Sequence, residues 1–434
     1  MSRASRLLPL AACLAVAPGL ASPARLARPT PDQLAWHQME IEAFLCLDPC
    51  TWQGREYDDH STPLSAIDPA QLDTDQWCRA AKRFGAKQIL FVAKHTGGFC
   101  WWQTDTSEYS VKNTPFRGGK GDVLADLSQS CHLYGLKLGV YVYPGDDQWG
   151  AGIGSGGRTS DPGKQEAYNR VYRQQLTEVL SRYGEISEVW FDGSCVIDVA
   201  GILERYAPHA MILQGPRATL RWPGNEAGVV PYPTWQAVKR ADAESGVSTA
   251  EQSDPDGDVW LPMECDTPLL DHKWFWAPGT DQMLKSVDRL MDVYYQSVGR
   301  GSVLLLNMTP DTRGLIPDSH VRIYREFGRE IGRRFGHPLA ETRGGGRVLE
   351  LDLGVPTEVD HVILMEDIRK GQRVRGYRME ALVDGSWTEV CTGSSIGYKK
   401  IDRFAPVTAT KLRFTATESV GVPLIARMGA YRAG

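Results

Sequence analysis

The feature that most constrains this chain is an alternation, over residues 36–335, of short apolar segments with longer amphipathic ones. Such alternation is typical of βα units built around a parallel sheet. The strand candidates are residues 42–47, 88–93, 136–143, 186–192, 210–214, 259–264 and 303–308. The helix candidates are residues 74–84, 123–134, 164–183, 201–206 and 281–298. A barrel-sized region with this many strands predicts an α/β fold of the (β/α)8 type over residues 31–336, rather than an open doubly wound sheet.

The pattern changes after residue 338, where long helical segments stop. The remaining sequence has short alternating segments with Gly, Pro and Asp between them, which is typical of a β-sandwich. The strand candidates are residues 347–353, 361–366, 377–383, 387–391 and 411–415. We therefore predict a β-sandwich over residues 340–434 that packs on the barrel. Its role is either structural support or carbohydrate binding.

The first 27 residues have the organisation of a secretion signal. Arg3 and Arg6 precede an apolar run over residues 7–20, and a small-residue cleavage region follows. The run is too short and too interrupted for a membrane span. We predict export to the periplasm or the extracellular space. Cys13 follows Leu-Ala-Ala, so lipid anchoring at that cysteine stays open.

Overall charge restricts the partners of this chain. The net charge is -5, the pI is near 6.0, and no long run of Lys and Arg occurs. We therefore expect no nucleic-acid partner and a neutral, polar substrate. The glycine-rich residues 152–157 lead into a turn-rich stretch, not a helix, so they predict a loop. Without a zinc or nucleophile-elbow motif, we expect no cofactor and no metal. A Cys46–Cys50 disulfide is left open.

Acidic residues stand where a barrel places its chemistry, at and beyond the C-terminal ends of its strands. Asp192 closes the fourth strand candidate and Glu264 the sixth, while Glu226 lies in a Gly- and Pro-bounded loop after the fifth. Hydrolysis of a glycosidic bond needs two carboxyl groups with different roles. The pattern alone also allows a structural role for Asp192, which could cap the next helix.

Six stretches resemble the α-L-fucosidase family of glycoside hydrolases (family 29), and the resemblance covers nearly the whole mature chain. The stretches are residues 36–57, 94–102, 189–193, 224–228, 263–266 with 274–276, and 302–311. The resemblance implies a retaining exo-hydrolase that removes terminal α-L-fucose from oligosaccharides or glycoconjugates. It implies Asp192, in Trp190-Phe191-Asp192-Gly193, as the nucleophile. The Gly-Asn-Glu loop favours Glu226 over Glu264 as the acid/base.

The resemblance also implies a set of substrate-binding side chains. These are Glu56, Tyr57, His95, Trp101, Tyr141, Tyr143 and Trp190.

Two departures from the family pattern concern the sugar. Cys46 stands where the first strand usually ends in a histidine, and Thr96 replaces the second histidine of a Lys-His-His run. A threonine lacks the reach of imidazole. The glycone could therefore be a related sugar such as α-L-galactose. A glycan-binding protein without turnover is the other alternative.

Overall fold

A computed structural model of the protein describes residues 26–215, 217–244 and 247–434. The signal peptide predicted over residues 1–27, with Cys13, lies outside the described residues except for its last two positions.

The N-terminal part is built on a curled parallel sheet. The strands up to residue 308 are β1 (Ile41–Leu45), β2 (Gln88–Lys94), β3 (Lys137–Val142), β4 (Ile186–Trp190), β5 (Met211–Leu213), β6 (Ala237–Val238), β7 (Val259–Trp260), β8 (Glu264–Thr267) and β9 (Val303–Met308). The parallel sheet has the order β5-β4-β3-β2-β1-β9-β8, and β6 pairs with β7 in a separate antiparallel ribbon. Full burial of β1, β2 and β9 explains their continuous apolar runs.

Two residues close the sheet into a barrel. Leu220 forms a parallel bridge with Leu213 at the end of β5, and Arg221 forms one with Met263 just before β8. The Arg221 N–H donates to the Pro262 carbonyl at 2.9 Å, and the Arg221 carbonyl accepts from the Glu264 N–H at 3.0 Å. Residues 220–221 thus act as an eighth strand, and the predicted (β/α)8-type fold is confirmed.

Helices pack around the barrel. They are α1 (Pro31–His37), α2 (Cys50–Gln53), α3 (Thr74–Arg83), α4 (Val123–Tyr134), α5 (Gln165–Arg182), α6 (Ala200–Tyr206), α7 (Arg240–Glu244), α8 (Val287–Gln296) and α9 (Asp318–Phe335). The Asp122 side chain caps α4, which ends at a left-handed Gly135, as its sequence predicts. The helix predicted over residues 281–298 is shorter, because Ser286 caps α8. Within the described chain, no helix has the length and apolarity needed to cross a bilayer.

The C-terminal part is antiparallel, as predicted for the β-sandwich. Its strands are β10 (Ala340–Gly345), β11 (Val348–Glu366), β12 (Val374–Val383), β13 (Ser386–Gly393), β14 (Lys400–Ser419) and β15 (Leu424–Tyr431), in the order β10-β15-β11-β14-β12-β13. Two predicted strands are parts of the single strand β11. Register shifts between β11 and β14 bend these long strands around a core of their own.

The sandwich packs on the barrel through specific hydrogen bonds. Thr234 N–H donates to the Ser395 hydroxyl at 2.9 Å, and Gln236 N–H donates to Gln372 Oε1 at 2.8 Å. On the other side, the Tyr295 hydroxyl and His361 Nε2 are 2.9 Å apart.

Candidate active site

A pocket opens at the C-terminal ends of the barrel strands, where barrels carry their active sites. Its volume of about 260 Å³ lies just below the usual range of roughly 300–1,000 Å³ for small-molecule sites, which suits a ligand the size of one sugar ring. The lining residues are Phe44, Cys46, Glu56, Tyr57, Val92, His95, Tyr141, Trp190, Asp192, Gly193, Leu213, Gln214, Trp222, Glu226, Asp266, Trp274 and Phe275. All of them precede residue 276, so the sandwich contributes nothing to the wall.

Asp192 lies two residues beyond β4 and is held from the neighbouring strand. The Tyr141 hydroxyl on β3 donates to Asp192 Oδ2 at 3.0 Å. Gly193 follows with a positive φ of 77°, and its N–H donates to the side chain of Gln214. Enclosure by the pocket raises the pKa of Asp192, while the Tyr141 hydrogen bond opposes that rise. The carboxylate is thus fixed in place yet open to a ligand.

Glu226 lies in the loop that follows the two-residue strand at 220–221. Its Oε2 accepts a hydrogen bond from the Trp274 indole N–H at 3.2 Å. The Asn225 side chain folds the loop on itself, donating to the Val229 carbonyl at 3.0 Å and accepting from the Ala227 N–H at 3.1 Å. The charge of Glu226 raises the pKa of Asp192. The two carboxyl groups therefore share the pocket and interact.

Asp266 is a further acid of the pocket wall and, unlike Glu56, was not among the predicted site residues. It lies on β8, and its Oδ1 accepts from the Trp222 indole N–H at 2.7 Å. Burial, with smaller contributions from Glu226 and Asp192, raises the pKa of Asp266 to about 8. The sequence signal was period-two alternation: Glu264 and Asp266 share one face of β8, and Asp266 is nearer the strand's C-terminal end.

Glu264 does not lie where the sequence predicted. It begins β8 and does not line the pocket, because the predicted strand over residues 259–264 is interrupted at Pro262. Its carboxyl group is completely buried inside the barrel, where Oε2 accepts from the Trp190 indole N–H at 2.8 Å. Glu264 is therefore an interior residue that cannot reach a substrate, and its predicted place among the catalytic candidates is corrected.

Glu264 belongs to a buried acid cluster, which we define as Glu42, Glu188 and Glu264. Oxygen atoms of all three lie within 4.8 Å of one another. Gln88 Nε2 donates to Glu42 Oε2 and Glu188 Oε2, both at 2.8 Å, and Trp190 Nε1 also donates to Glu188 Oε1 at 2.9 Å. Burial raises the pKa of all three groups, which favours protonated carboxyls.

His95 and Tyr57, which the sequence predicts to bind substrate, form one wall of the pocket. Their rings stack at a centroid distance of 6.2 Å, and Tyr57 is 55% exposed at the rim. Burial lowers the pKa of His95 to about 4, so the imidazole is neutral near pH 7. His95 Nδ1 lies near Asp48 and Cys50, at 3.9 and 4.0 Å from Oδ2 and Sγ.

Glu56, Tyr141 and Trp190 also line the pocket, as predicted. Glu56 Oε2 accepts from the Trp274 N–H at 2.9 Å and so positions the ring that contacts Glu226.

Two other predicted residues lie outside the lining. Tyr143 stacks behind Tyr141 at a centroid distance of 6.2 Å, and its hydroxyl accepts from the Gly154 N–H at 2.7 Å. Trp101 is fully buried, and its indole N–H donates to the Leu47 carbonyl at 2.7 Å. Trp101 therefore packs in the core and does not line the pocket, unlike the predicted aromatic residues Tyr57, Tyr141 and Trp190.

The described cysteines are free thiols, so Cys46 and Cys50 are not bridged. Cys46 lines the pocket at the position predicted from the family comparison. Asp48, Cys50 and His95 include atom types that bind metals, with one ligand atom of each within 4.8 Å of the others.

The aromatic residues Trp222, Trp274 and Phe275 were missed as site residues, although the Trp-Phe-Trp run over 274–276 was a visible signal.

Comparisons with known proteins agree on one family. A family model described as alpha-L-fucosidase matches residues 49–332. Alpha-L-fucosidase 1 of Arabidopsis thaliana is 30% identical over 453 residues, covering 93% of this chain and 87% of that protein.

Solved structures give the same result. A Bacteroides thetaiotaomicron protein described as a candidate α-L-fucosidase has 36% identity and a TM-score of 0.88, covering 94% of this chain and 99% of that one. A family 29 fucosidase from Ruminococcus gnavus, described in complex with fucose, has 25% identity and a TM-score of 0.83, covering 96% and 97%.

Proposed function

Because this chain belongs to the α-L-fucosidase family and is a glycoside hydrolase of family 29, we propose that it is a retaining exo-α-L-fucosidase acting on fucosylated oligosaccharides or glycoconjugates. The observation that carries the proposal is the placement of Asp192 and Glu226 in one sugar-sized pocket. A retaining mechanism uses one carboxylate as nucleophile and a second group as acid and base.

Asp192 has the properties of the nucleophile. It is held by the Tyr141 hydroxyl, so it does not need to reorient during reaction. In the first step its carboxylate attacks the anomeric carbon and forms a glycosyl ester. The bond to the leaving oxygen breaks, and that oxygen takes the proton of Glu226.

Glu226 has the properties of the acid/base. It is exposed, so water and a leaving group can reach it, and Trp274 fixes one of its oxygens. In the second step the Glu226 carboxylate removes a proton from water, whose oxygen attacks the anomeric carbon and breaks its ester bond to Asp192. The sugar is released with its configuration retained, and both acids return to their starting states.

The remaining walls suit a sugar with one apolar face and several hydroxyl groups. Phe44 and Trp190 pack with ring centroids 5.1 Å apart and ring planes inclined by 53°, and so give the pocket an apolar wall. The neutral His95 can donate or accept a hydrogen bond.

Turnover of an aryl α-L-fucoside, followed by proton NMR of the first-formed sugar, tests the reaction and its stereochemistry. We expect the α-anomer to be released first. A 2-fluoro-fucosyl fluoride should label the peptide containing Asp192, as read by mass spectrometry. Release of the β-anomer, or a label elsewhere, would overturn the retaining assignment.

A second candidate glycone is α-L-galactose, which differs from α-L-fucose by a hydroxyl group at C6. The observation that favours it is Cys46 in the pocket wall, where the family usually has a histidine. Comparing kcat/KM for the aryl fucoside and the aryl α-L-galactoside decides between the two sugars. Glycan binding without turnover of either would favour the non-catalytic alternative.

We also propose that the protein is exported, on the basis of its N-terminal sequence. Expression of the full chain with cell fractionation and N-terminal sequencing tests this. Removal of about the first 27 residues is expected, and retention of Met1 in the cytoplasm would contradict export. A lipid-modified Cys13 at the new N-terminus would show anchoring.

A further inference from the structure

Four acids line the pocket: Glu56, Asp192, Glu226 and Asp266. Glu56 is paired with Lys273, whose Nζ lies 3.7 Å from Oε1, whereas the other three have no Lys or Arg partner in the described chain. Among the residues that line the pocket there is no Lys or Arg, and burial keeps His95 neutral. Carboxylates that share a pocket repel one another, which favours the protonated form of the most buried one.

Asp266 is the acid best placed to be neutral. It is only 5% exposed, whereas solvent reaches Asp192 and Glu226 through the mouth of the pocket. Its Oδ1 already accepts from the Trp222 indole. Within the described chain, no second side chain donates to this carboxyl group. The other oxygen can therefore carry a proton toward the pocket.

We propose that Asp266 is a further sugar-binding residue, which donates a hydrogen bond from its neutral carboxyl group to a hydroxyl of the bound sugar. This inference rests on the proposed function, since it assigns Asp266 to the same sugar. The neutral form also leaves Asp192 free to ionise as the nucleophile.

The groups that face Asp266 are all acids. They are Glu226 in the loop after residue 221, Asp192 after β4, and the Cys46 thiol after β1, whose own pKa is raised in part by Asp266. Burial, with smaller contributions from Glu226 and Asp192, raises the pKa of Asp266 to about 8. The proton is thus present below that pH and lost above it, so sugar binding should weaken as pH rises.

The test is calorimetric binding of L-fucose and of L-galactose to the full chain between pH 6 and pH 9. We expect wild-type affinity for the accepted sugar to fall about tenfold over this range. Asp266→Asn keeps an acceptor for Trp222 and an N–H donor but cannot ionise, so its affinity should be about threefold weaker at pH 6 and nearly constant to pH 9. Asp266→Ala should bind at least about thirtyfold more weakly throughout.

Three results would overturn the inference: Asp266→Ala binding as tightly as wild type, Asp266→Asn binding as weakly as Asp266→Ala, or Asp266→Asn keeping the wild-type pH dependence. Thermal melting of each variant confirms folding, and KM should change more than kcat in both. Because binding is measured without turnover, the outcome is separable from the proposed function. A wild type that binds the sugar as expected but never hydrolyses a glycoside would refute only the hydrolase.

Discussion

The barrel holds two groups of acids in contrasting surroundings: Asp192, Glu226 and Asp266 in the pocket, together with Glu56 in its wall, and three glutamates in the interior. The pocket acids lie at the open end of the barrel with aromatic walls and access to water, whereas the buried acid cluster of Glu42, Glu188 and Glu264 is sealed inside. Both groups lack a basic residue among their hydrogen-bonding partners. In the interior, indole and amide donors reach four of the six carboxyl oxygens, while Glu42 Oε1 and Glu264 Oε1 have no hydrogen-bond partner in the described chain. All three side chains are completely buried, so none of them can act on a ligand.

Trp190 joins the two groups. Its ring lines the pocket, while its N–H donates to Glu188 and Glu264. The difference shows that an acid is available for catalysis only when its surroundings leave a lone pair or a proton unused and reachable. Glu188 and Glu264 of the buried acid cluster accept from Trp190 instead, and so hold this ring of the pocket wall in position.

The largest expected effect comes from the pocket nucleophile. Asp192→Ala should lower kcat by roughly 10⁴-fold or more, because no covalent intermediate can form. Steady-state kinetics on the aryl fucoside measures it. Melting temperature should stay close to wild type, since the removed side chain accepts only from Tyr141 among the described side chains. Residual activity within tenfold of wild type would show that Asp192 is not the nucleophile.

Removing the second pocket acid should have an effect that depends on the leaving group. Glu226→Ala should lose about 10²–10⁴-fold on a fucosylated oligosaccharide, and less on an aryl glycoside whose leaving group needs little protonation. Glu251→Ala, which removes an exposed carboxylate outside the pocket, is the matched control. Equal losses on both substrates would argue against an acid role for Glu226.

A change in the sealed group should act on stability before activity. Glu264→Ala should lower the free energy of unfolding by about 2–3 kcal/mol, because it leaves a cavity and removes one acceptor of Trp190. Glu264→Gln keeps the shape and should cost less than about 1 kcal/mol. Urea unfolding measures both. If Glu264→Gln retained the fold but abolished turnover, Glu264 would have a chemical role that its position does not provide.

The smallest expected effect is a pH dependence of stability. The folded state raises the pKa of Glu42 above its ordinary value of 4.5, so it holds a proton that the unfolded chain has released. That contribution is fully present below pH 4.5 and is lost as pH rises through the raised value. Glu42→Gln removes it, so the variant should gain stability relative to wild type as the pH rises from 5 to 8. Thermal melts of wild type and variant at pH 5 and pH 8 measure this change. If the difference in stability between the two proteins were the same at both pH values, Glu42 would be ionised in the folded protein.

Much of the barrel could be predicted because β1 to β5 and β9 are short apolar runs separated by amphipathic helices. The eighth strand could not, since two residues carry no periodicity. Pro262 indicates that no continuous strand runs over residues 259–264. A strand that begins at Glu264 instead places Asp266 at the pocket and Glu264 below it. Trp101 was misplaced because aromatic residues near a strand end are equally common in cores and in sugar sites.

The Arg221 backbone closes the barrel, and its side chain joins three neighbouring segments by hydrogen bonds. The buried guanidinium donates to the Leu261 carbonyl at 2.7 Å, the Thr249 carbonyl at 2.6 Å and the Ser253 hydroxyl at 2.9 Å, without a carboxylate among its partners in the described chain. The segment from Trp222 to β6 is therefore held at its start by Arg221, and Thr234 holds it farther along by donating to the Ser395 hydroxyl of the sandwich. Exchanging the segment from Trp222 to β6 between relatives would transfer Glu226 and the loop that presents it to the leaving group. The eight strands of the barrel would stay unchanged.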